Sequence, residues 1–493
     1  MKLRDIGRFE TVIIALIVIS LAGKFFLIPL NQGMWWDEAV YLGLGRGITE
    51  GRYSMWPDTT IESFRPPLFP FIVSPFFDSP ITVRIIAALI SVAAVFLVYK
   101  TIKDSFGKRP ALWGALLLST SYHFVFFSTK ALSETLSISL FALSFMFFIK
   151  WTCSGNRWHI LIAGVFTGLT FLTRYLNSLI LVSYLLVLIY ISLKRKERKT
   201  IYHLIIFLAG MIIPLIPWFL LNIANYGSPF AAFSVNYLVY TSSLEADVMP
   251  LLTGLGSVFG ITGLIMIPGL FFVFRDSKRD NETKLLLLLL FSLPFVFYFL
   301  SPHREPRYFL SFFVVYAMLA GIGAARINER LDGKLRGGFK AVFSAALVVI
   351  TIIILVTSLS FVWAERIGAS AIVSASQELR DLTQPGENVF GISYPYIYYL
   401  SDRNVITYCG VPDTTDKYFV CRKRVMDNGT EPESLNTLLN WYNINYLLIY
   451  KFELENPPYA DTYFDESPDF IRIKSYYQWG DPDAAVIYEY VGS

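Results

Sequence analysis

Charge is the scarcest commodity in this sequence. Only 16% of its 493 residues are Asp, Glu, Lys or Arg, whereas a soluble domain carries about a quarter. With 54% hydrophobic residues and a mean hydropathy of +0.51, that deficit excludes an ordinary cytosolic enzyme and a disordered or fibrous chain. Three cysteines exclude a disulfide framework or a cysteine-rich metal cluster. The four histidines, His123, His159, His203 and His303, are scattered without metal-ligand spacing. Glycine-rich phosphate loops (GxGxxG, GxxxxGK[ST]) are missing, and so are Gly-x-Ser-x-Gly and His-Glu-x-x-His. The charge balance, 42 − 38 = +4, is too small to imply a nucleic-acid partner.

What is present is apolar and aromatic, including 42 Phe and 29 Tyr. A membrane span needs about 20 mostly apolar residues. Candidates lie near 11–30, 81–99, 111–128, 135–151, 158–173, 176–193, 201–221, 251–274, 285–300, 308–325 and 341–362, which makes eleven. Basic residues are segregated by loop. Lys2, Arg4 and Arg8, Lys100 to Arg109, Lys194 to Lys199, Arg275 to Lys284 and Arg326 to Lys340 share one side, while the opposite loops carry isolated basics. By the positive-inside rule the N-terminus is cytoplasmic and the chain after 363 is extracytoplasmic. The first span lacks a small-x-small cleavage site, and Trp35-Trp36 follows it as an interfacial anchor, so it reads as a signal anchor.

The expected architecture is a polytopic α-helical membrane domain over 1–363, with a long first outer loop at 31–80, and an exported α/β domain over 364–493. In the tail, 371–382 has helical spacing and stops at Gln384-Pro385-Gly386. Short β-prone runs follow at 388–392, 404–408, 445–450, 469–473 and 485–491, with a helical stretch near 433–442. Cys409 and Cys421 both fall in this tail, either paired or as free thiols. Asn428-Gly429-Thr430 matches a glycosylation sequon.

The groups able to do chemistry gather on the outer side. Loop 31–80 opens with Met34-Trp35-Trp36-Asp37-Glu38-Ala39-Val40-Tyr41. Two carboxylates beside hydrocarbon suit a general base; equally, Asp37 could cap a helix beginning near Ala39. The loop closes with Arg65-Pro66-Pro67-Leu68, where an arginine suits a phosphate bidentately or snorkels to headgroups. Glu134 follows Lys130-Ala131-Leu132-Ser133 in a tight turn and is either functional or simply paired with Lys130. Arg174-Tyr175 and the dense run His303-Arg304-Glu305-Pro306-Arg307-Tyr308 complete the set. Outer basics run against the positive-inside trend, and an anionic ligand is one reason for them; an internal Arg–Glu pairing that closes the loop is another.

In this order the motifs resemble the GT-C superfamily of membrane glycosyltransferases, in the branch holding protein O-mannosyltransferases and lipid A aminoarabinose transferases. There an Asp-Glu pair opens the first outer loop, a Lys/Arg-Pro-Pro-Leu element closes it, an acid sits in the second outer loop and an Arg-Tyr pair precedes a late span. Asp37-Glu38, Arg65-Pro66-Pro67-Leu68, Glu134 and Arg307-Tyr308 match these places. Gly168-Leu169-Thr170 with Thr173-Arg174 is similar to the family's Gly-Leu-x-x-x-Thr-Lys/Arg stretch. The similarity covers residues 1–325. Glu134 stands where aspartate is common, and Arg65 replaces a frequent lysine.

The resemblance implies a polyprenyl-phosphate-linked monosaccharide as donor and a hydroxyl of a protein, lipid or glycan as acceptor. It implies Asp37 as base, with Glu38 or Glu134 orienting the reacting groups. Arg65, Arg174, Arg304, Arg307 and Tyr308 would hold the donor phosphate, and Tyr41 and His303 would contact donor or acceptor. Transfer would invert the anomeric centre, with no metal or other cofactor. Two alternatives stay open: a lipid-linked sugar flippase, and an oligosaccharyltransferase-type enzyme using a metal held by acidic loop residues.

Overall fold

The computed structural model describes residues 8–31, 33–55, 65–195, 198–234, 263–276, 280–300, 305–334, 338–391, 393–406, 439–450, 463–478 and 480–492. Cys409, Cys421, the Asn428 sequon, His303 and Arg304 lie outside the described residues. In chain order the helices are α1 (Arg8–Leu27), α2 (Trp36–Thr49), α3 (Leu68–Val73), α4 (Pro80–Phe106), α5 (Lys108–Thr120), α6 (Tyr122–Phe127), α7 (Glu134–Ser154) and α8 (Arg157–Phe171). They continue as α9 (Ser178–Arg195), α10 (Arg198–Tyr226), α11 (Gly263–Arg275), α12 (Asn281–Leu300), α13 (Phe313–Lys334), α14 (Gly338–Ala364), α15 (Ser370–Leu382) and α16 (Tyr394–Ser401). The strands are β1 (Asn388–Gly391), β2 (Asn404–Ile406), β3 (Tyr446–Tyr450), β4 (Phe470–Gln478) and β5 (Asp481–Tyr490). The chain divides into two compact units: Met1–Pro29 with Ser63–Phe69 and Ile81–Ala364, and Leu30–Glu62 with Pro70–Pro80 and Glu365–Ser493.

The first unit is all helical. Among the described residues, eight helices are long and apolar enough to cross a membrane: α1, α4, α7, α9, α10, α12, α13 and α14. The protein is therefore a multi-pass membrane protein. Of the other three expected stretches, two form shorter helices and one is described only in part. Residues 111–128 break at Ser121, whose extended backbone (φ −61°, ψ 137°) ends α5 before α6 begins. Residues 158–173 make α8, 15 residues long, and 251–274 is described only from Gly263 as α11. Helix α5 is buried from Pro110 to Thr120.

Side-chain size decides which way a span faces. On α4, Arg84, Ala87, Ala88, Ser91, Ala94, Val95 and Val98 recur at helical spacing and are buried, while Leu89 and Phe96 are exposed. Small residues let neighbouring backbones approach, and large apolar ones meet lipid. Helices α8 and α10 show the limit of this close approach. A Cβ on Gly164 would run into the Phe207 carbonyl, and one on Gly168 into that of Met211. The hydrophobic stretch of α13 is buried throughout, which makes it the central helix of the unit.

The second unit holds a five-stranded mixed sheet in the order β2-β1-β3-β5-β4. Strand β1 runs parallel to β2 (Val389 beside Val405) and to β3 (Phe390 beside Leu447), and β5 is antiparallel to both β3 and β4. The β1–α16–β2 passage is a strand–helix–strand crossover, the connection that parallel neighbours require. Gly480 (φ 92°) turns β4 back into β5. Phe390, Ile406, Leu447, Ile449, Phe470, Val486 and Tyr488 form the core. Helix α15 buries Ala371, Ile372, Ala375 and Leu379, one stripe of an amphipathic helix. These elements fall where the tail's spacing expects the helix at 371–382 and five strands; of the helical stretch expected near 433–442, residues 433–438 lie outside the described residues. Much of segment 31–80 packs in this unit, including α2.

Candidate active site

The sequence expects chemistry at the start of α2, and the local structure explains how two acids fit there. Trp35 is extended (φ −84°, ψ 153°) and precedes the first helical residue, Trp36. The first backbone N–H groups of a helix lack intrahelical acceptors. Glu38, third in the helix, reaches back and accepts the Trp35 N–H at 2.9 Å. This is the acidic half of a capping box; the indole of Trp35 has no acceptor to complete the other half. Asp37 is thus not the cap of a helix starting near Ala39. The helix starts three residues earlier, Glu38 secures it, and Asp37 lies within the first turn. Glu38 is fully buried, Asp37 is 7% exposed and Tyr41 is buried one turn on.

Aromatic residues of α16 surround this turn. Trp36 meets Tyr394 edge-on (5.6 Å between centroids, 89°) and Tyr396 likewise (5.9 Å, 80°). The Tyr396 hydroxyl donates to the Met34 carbonyl at 3.1 Å. Near the far end of α2, the Arg52 guanidinium donates to the Tyr398 hydroxyl at 3.0 Å. Burial pushes the Tyr398 phenol above its ordinary pKa, and Arg52 opposes that rise.

In the helical unit, Glu134 is the first residue of α7, where the helix dipole favours an acid. It is 2% exposed, and Arg174 donates to its Oε1 at 2.5 Å. Its Oε2 is buried with no hydrogen-bond partner. The expected alternative partner, Lys130, instead places its Nζ 5.4 Å from the Phe126 ring. Arg174 has an extended backbone (φ −154°, ψ 122°) ahead of the short 3-10 turn Tyr175–Asn177. The Asn177 amide donates to Ser137 Oγ and to the Thr170 carbonyl, each at 2.8 Å, and Ser137 bonds Ser311 at 2.8 Å. Glu134 and Ser137 are three residues apart on α7 and so share a face. A polar seam therefore runs behind the Glu134–Arg174 pair. Sequence reasoning missed Asn177, Ser137 and Ser311; an amide three residues after an outer arginine was the available signal.

The Arg65 element reaches the same place. Pro66 and Pro67 keep the backbone extended, and the Leu68 N–H donates to the Leu172 carbonyl at 2.9 Å, two residues before Arg174. Arg65 itself is half-buried. Arg307 forms an ion pair with Glu305, and the Tyr308 hydroxyl donates to Glu305 at 3.4 Å. Lys24, in the last turn of α1, is fully buried, with Nζ 3.2 Å from Ser91 Oγ and 4.3 Å from the Phe124 ring centroid. Among the described residues, His, Cys, Asp and Glu nowhere gather in threes to hold a metal ion.

Comparison with known proteins sets this fold and these motifs beside membrane glycosyltransferases. A family model described as dolichyl-phosphate-mannose-protein mannosyltransferase matches residues 65–218, the stretch from the Arg65 element to α10. The fold is shared with ArnT from Cupriavidus metallidurans in its apo state (TM-score 0.71, 15% identity, 97% of each chain covered). The undecaprenyl-phosphate-bound form of that protein aligns with a TM-score of 0.68 over the same shares. The archaeal oligosaccharyltransferase AglB from Archaeoglobus fulgidus, in complex with an inhibitory peptide and a dolichol-phosphate, aligns at 0.57 with 14% identity, covering 90% of this chain and 70% of that one. No curated protein matches the chain in sequence. The resemblance read from the motifs, to the O-mannosyltransferase and aminoarabinose-transferase branch, is borne out.

Proposed function

We propose that this chain moves a monosaccharide from a polyprenyl-phosphate carrier to a hydroxyl group of a protein, lipid or glycan at the extracytoplasmic face of a cell membrane. Undecaprenyl phosphate on the ArnT fold and dolichol-phosphate on the AglB fold support the carrier class. The basic clusters at Lys100 to Arg109 and Lys194 to Lys199 support a cytoplasmic N-terminus.

One observation carries the reading. The Leu68–Leu172 bond joins the Arg65 element to the Arg174 turn and so brings two arginines of the outer loops to one place. Such a pair suits a phosphate, because arginine binds phosphate oxygens through a planar fork of donors. Asp37 would take the proton from the acceptor hydroxyl as its oxygen attacks the anomeric carbon. The bond from that carbon to the phosphate oxygen breaks, and the electron pair leaves with polyprenyl phosphate. Negative charge grows on the leaving oxygen, so preorganised cations at Arg65, Arg174, Arg304 and Arg307, with the Tyr308 hydroxyl, would lower the barrier without a metal. A single displacement of this kind inverts the anomeric centre. Glu38 would support the reaction through the α2 cap and Glu134 through Arg174, while Tyr41 and His303 would contact donor or acceptor.

The test is release of free polyprenyl phosphate when the purified protein meets polyprenyl-phospho-hexose and a cell-envelope extract in EDTA. Release that disappears in Asp37→Ala is expected. Transfer abolished by EDTA and restored by manganese would replace this account with a metal-dependent one.

A further inference from the structure

The polypeptide that carries Asp37 is held by the other end of the chain. Met34 and Trp36 flank the N-terminus of α2, and both are gripped by α16, about 360 residues later. The grip has three parts. At the top, the Tyr396 hydroxyl bonds the Met34 carbonyl at 3.1 Å, and the Tyr394 and Tyr396 rings meet the Trp36 indole edge-on from two directions. In the middle, Gly43 permits close packing: a Cβ there would lie 2.9 Å from Met55 Sδ and 3.3 Å from Tyr398 Cδ1. At the bottom, Arg52 bonds the Tyr398 hydroxyl at 3.0 Å, and the Arg46 guanidinium lies 5.4 Å from the Tyr398 ring centroid. Arg46 also pairs with Glu50 at 3.1 Å and with Asp402, the left-handed residue (φ 61°) that ends α16. A further tie, Tyr399 to the Phe77 carbonyl at 2.6 Å, anchors α16 to the 70–80 segment.

Helix α2 makes its own cap through Glu38, so it could exist without this grip. What Glu38 leaves undetermined is where the first turn points. Two edge-on ring contacts and a hydrogen bond two residues before the helix bear on that direction, and none of them involves Asp37. We propose that Tyr394 and Tyr396 are positioning residues, through which α16 sets the aim of the Asp37 carboxylate. The inference rests on the reading of Asp37 as general base. It gives the polypeptide after residue 364 a part in the reaction itself. Reacting groups displaced by about 1 Å can lose about a hundredfold in rate with ground-state binding unchanged.

The test uses the full-length protein in nanodiscs with Tyr396→Phe, Tyr396→Leu, Tyr394→Leu and Asp37→Asn. Polyprenyl phosphate release from polyprenyl-phospho-hexose with envelope extract gives kcat and the KM for the lipid donor. Expected for Tyr396→Leu is a kcat lowered about tenfold or more with KM within about twofold, and for Tyr396→Phe a smaller loss, since the ring contact survives. Hydrogen exchange supplies a readout independent of substrate: amides of residues 35–40 should exchange about tenfold faster in Tyr396→Leu, with β3 and β5 amides unchanged. Should Tyr396→Leu fail to fold, Tyr396→Phe and Tyr394→Leu carry both measurements. Wild-type kcat and exchange in these variants, beside an inactive Asp37→Asn, would overturn the positioning role and leave the base in place. A raised acceptor KM with unchanged kcat would also overturn it, making α16 an acceptor surface. Full activity in Asp37→Asn would remove the base and the positioning role together.

Discussion

Replacing Arg174 with methionine should destabilise the protein more than removing its whole ion pair. Glu134 is 2% exposed, and among the described residues Arg174 is its sole hydrogen-bond partner. Removing one member of a buried pair leaves an uncompensated charge and costs about 3–5 kcal/mol. The reverse deletion is milder, because the Arg174 side chain is 14% exposed and its guanidinium can find water. Glu134→Gln is accordingly expected to cost about 1–3 kcal/mol. The double variant Glu134→Gln/Arg174→Met lacks both charges and should regain about 1–3 kcal/mol over Arg174→Met alone. The assay is thermal unfolding in nanodiscs followed by tryptophan fluorescence. Heating a membrane protein of this size is irreversible, so the readout is the order of apparent Tm values at one scan rate. The expected order is wild type, then Glu134→Gln and the double variant, then Arg174→Met lowest. A double variant no more stable than Arg174→Met would refute the reasoning, because the stranded carboxylate would then not be the source of the loss.

Three further outcomes are expected. Lys24→Met should leave apparent Tm unchanged or raised, because among the described residues the buried ammonium is met by Ser91 and the Phe124 ring and by no carboxylate; a clear fall in Tm would contradict this. Glu38→Ala should lose about 0.5–2 kcal/mol through the Trp35 cap, whereas Glu38→Gln, whose amide oxygen still accepts that N–H, should lose less in the same unfolding assay. Gly164→Ala should destabilise strongly for so small a change, since its methyl group would meet the Phe207 carbonyl; Ala at Gly155, where a Cβ would meet open space, serves as the comparison, with only the backbone strain of φ 65° against it.

Elements with local signals are the ones that can be read from the sequence. The spans stand out because about 20 apolar residues are needed to cross a bilayer, and α15 ends before Gln384-Pro385-Gly386, as its spacing expects. Hydropathy also marks residues 111–128 and 158–173 as apolar, and there it does not register the break at Ser121 or the 15-residue length of α8. Contacts between distant residues leave no such trace. Lys130 is four residues from Glu134, yet its ammonium lies beside Phe126 and the pair forms with Arg174, forty positions on. The cap shows the same limit on a smaller scale. Both Asp37 and Glu38 have the chemistry to cap a helix, and only the helix start at Trp36 decides that Glu38 does so. The grip of Tyr396 on Met34 spans 362 residues, and no periodicity records it.

The central claim is that the carbon–oxygen bond to the lipid phosphate is broken and the sugar alone moves. A polyprenyl-phospho-sugar donor labelled with one isotope in the sugar and another in the phosphate tests it most directly. The account expects the sugar label to appear on the acceptor while an equal amount of phosphate label remains as polyprenyl phosphate, both changes vanishing in Asp37→Ala. Both labels arriving together on the acceptor, or both crossing the bilayer still joined to the lipid, would contradict it.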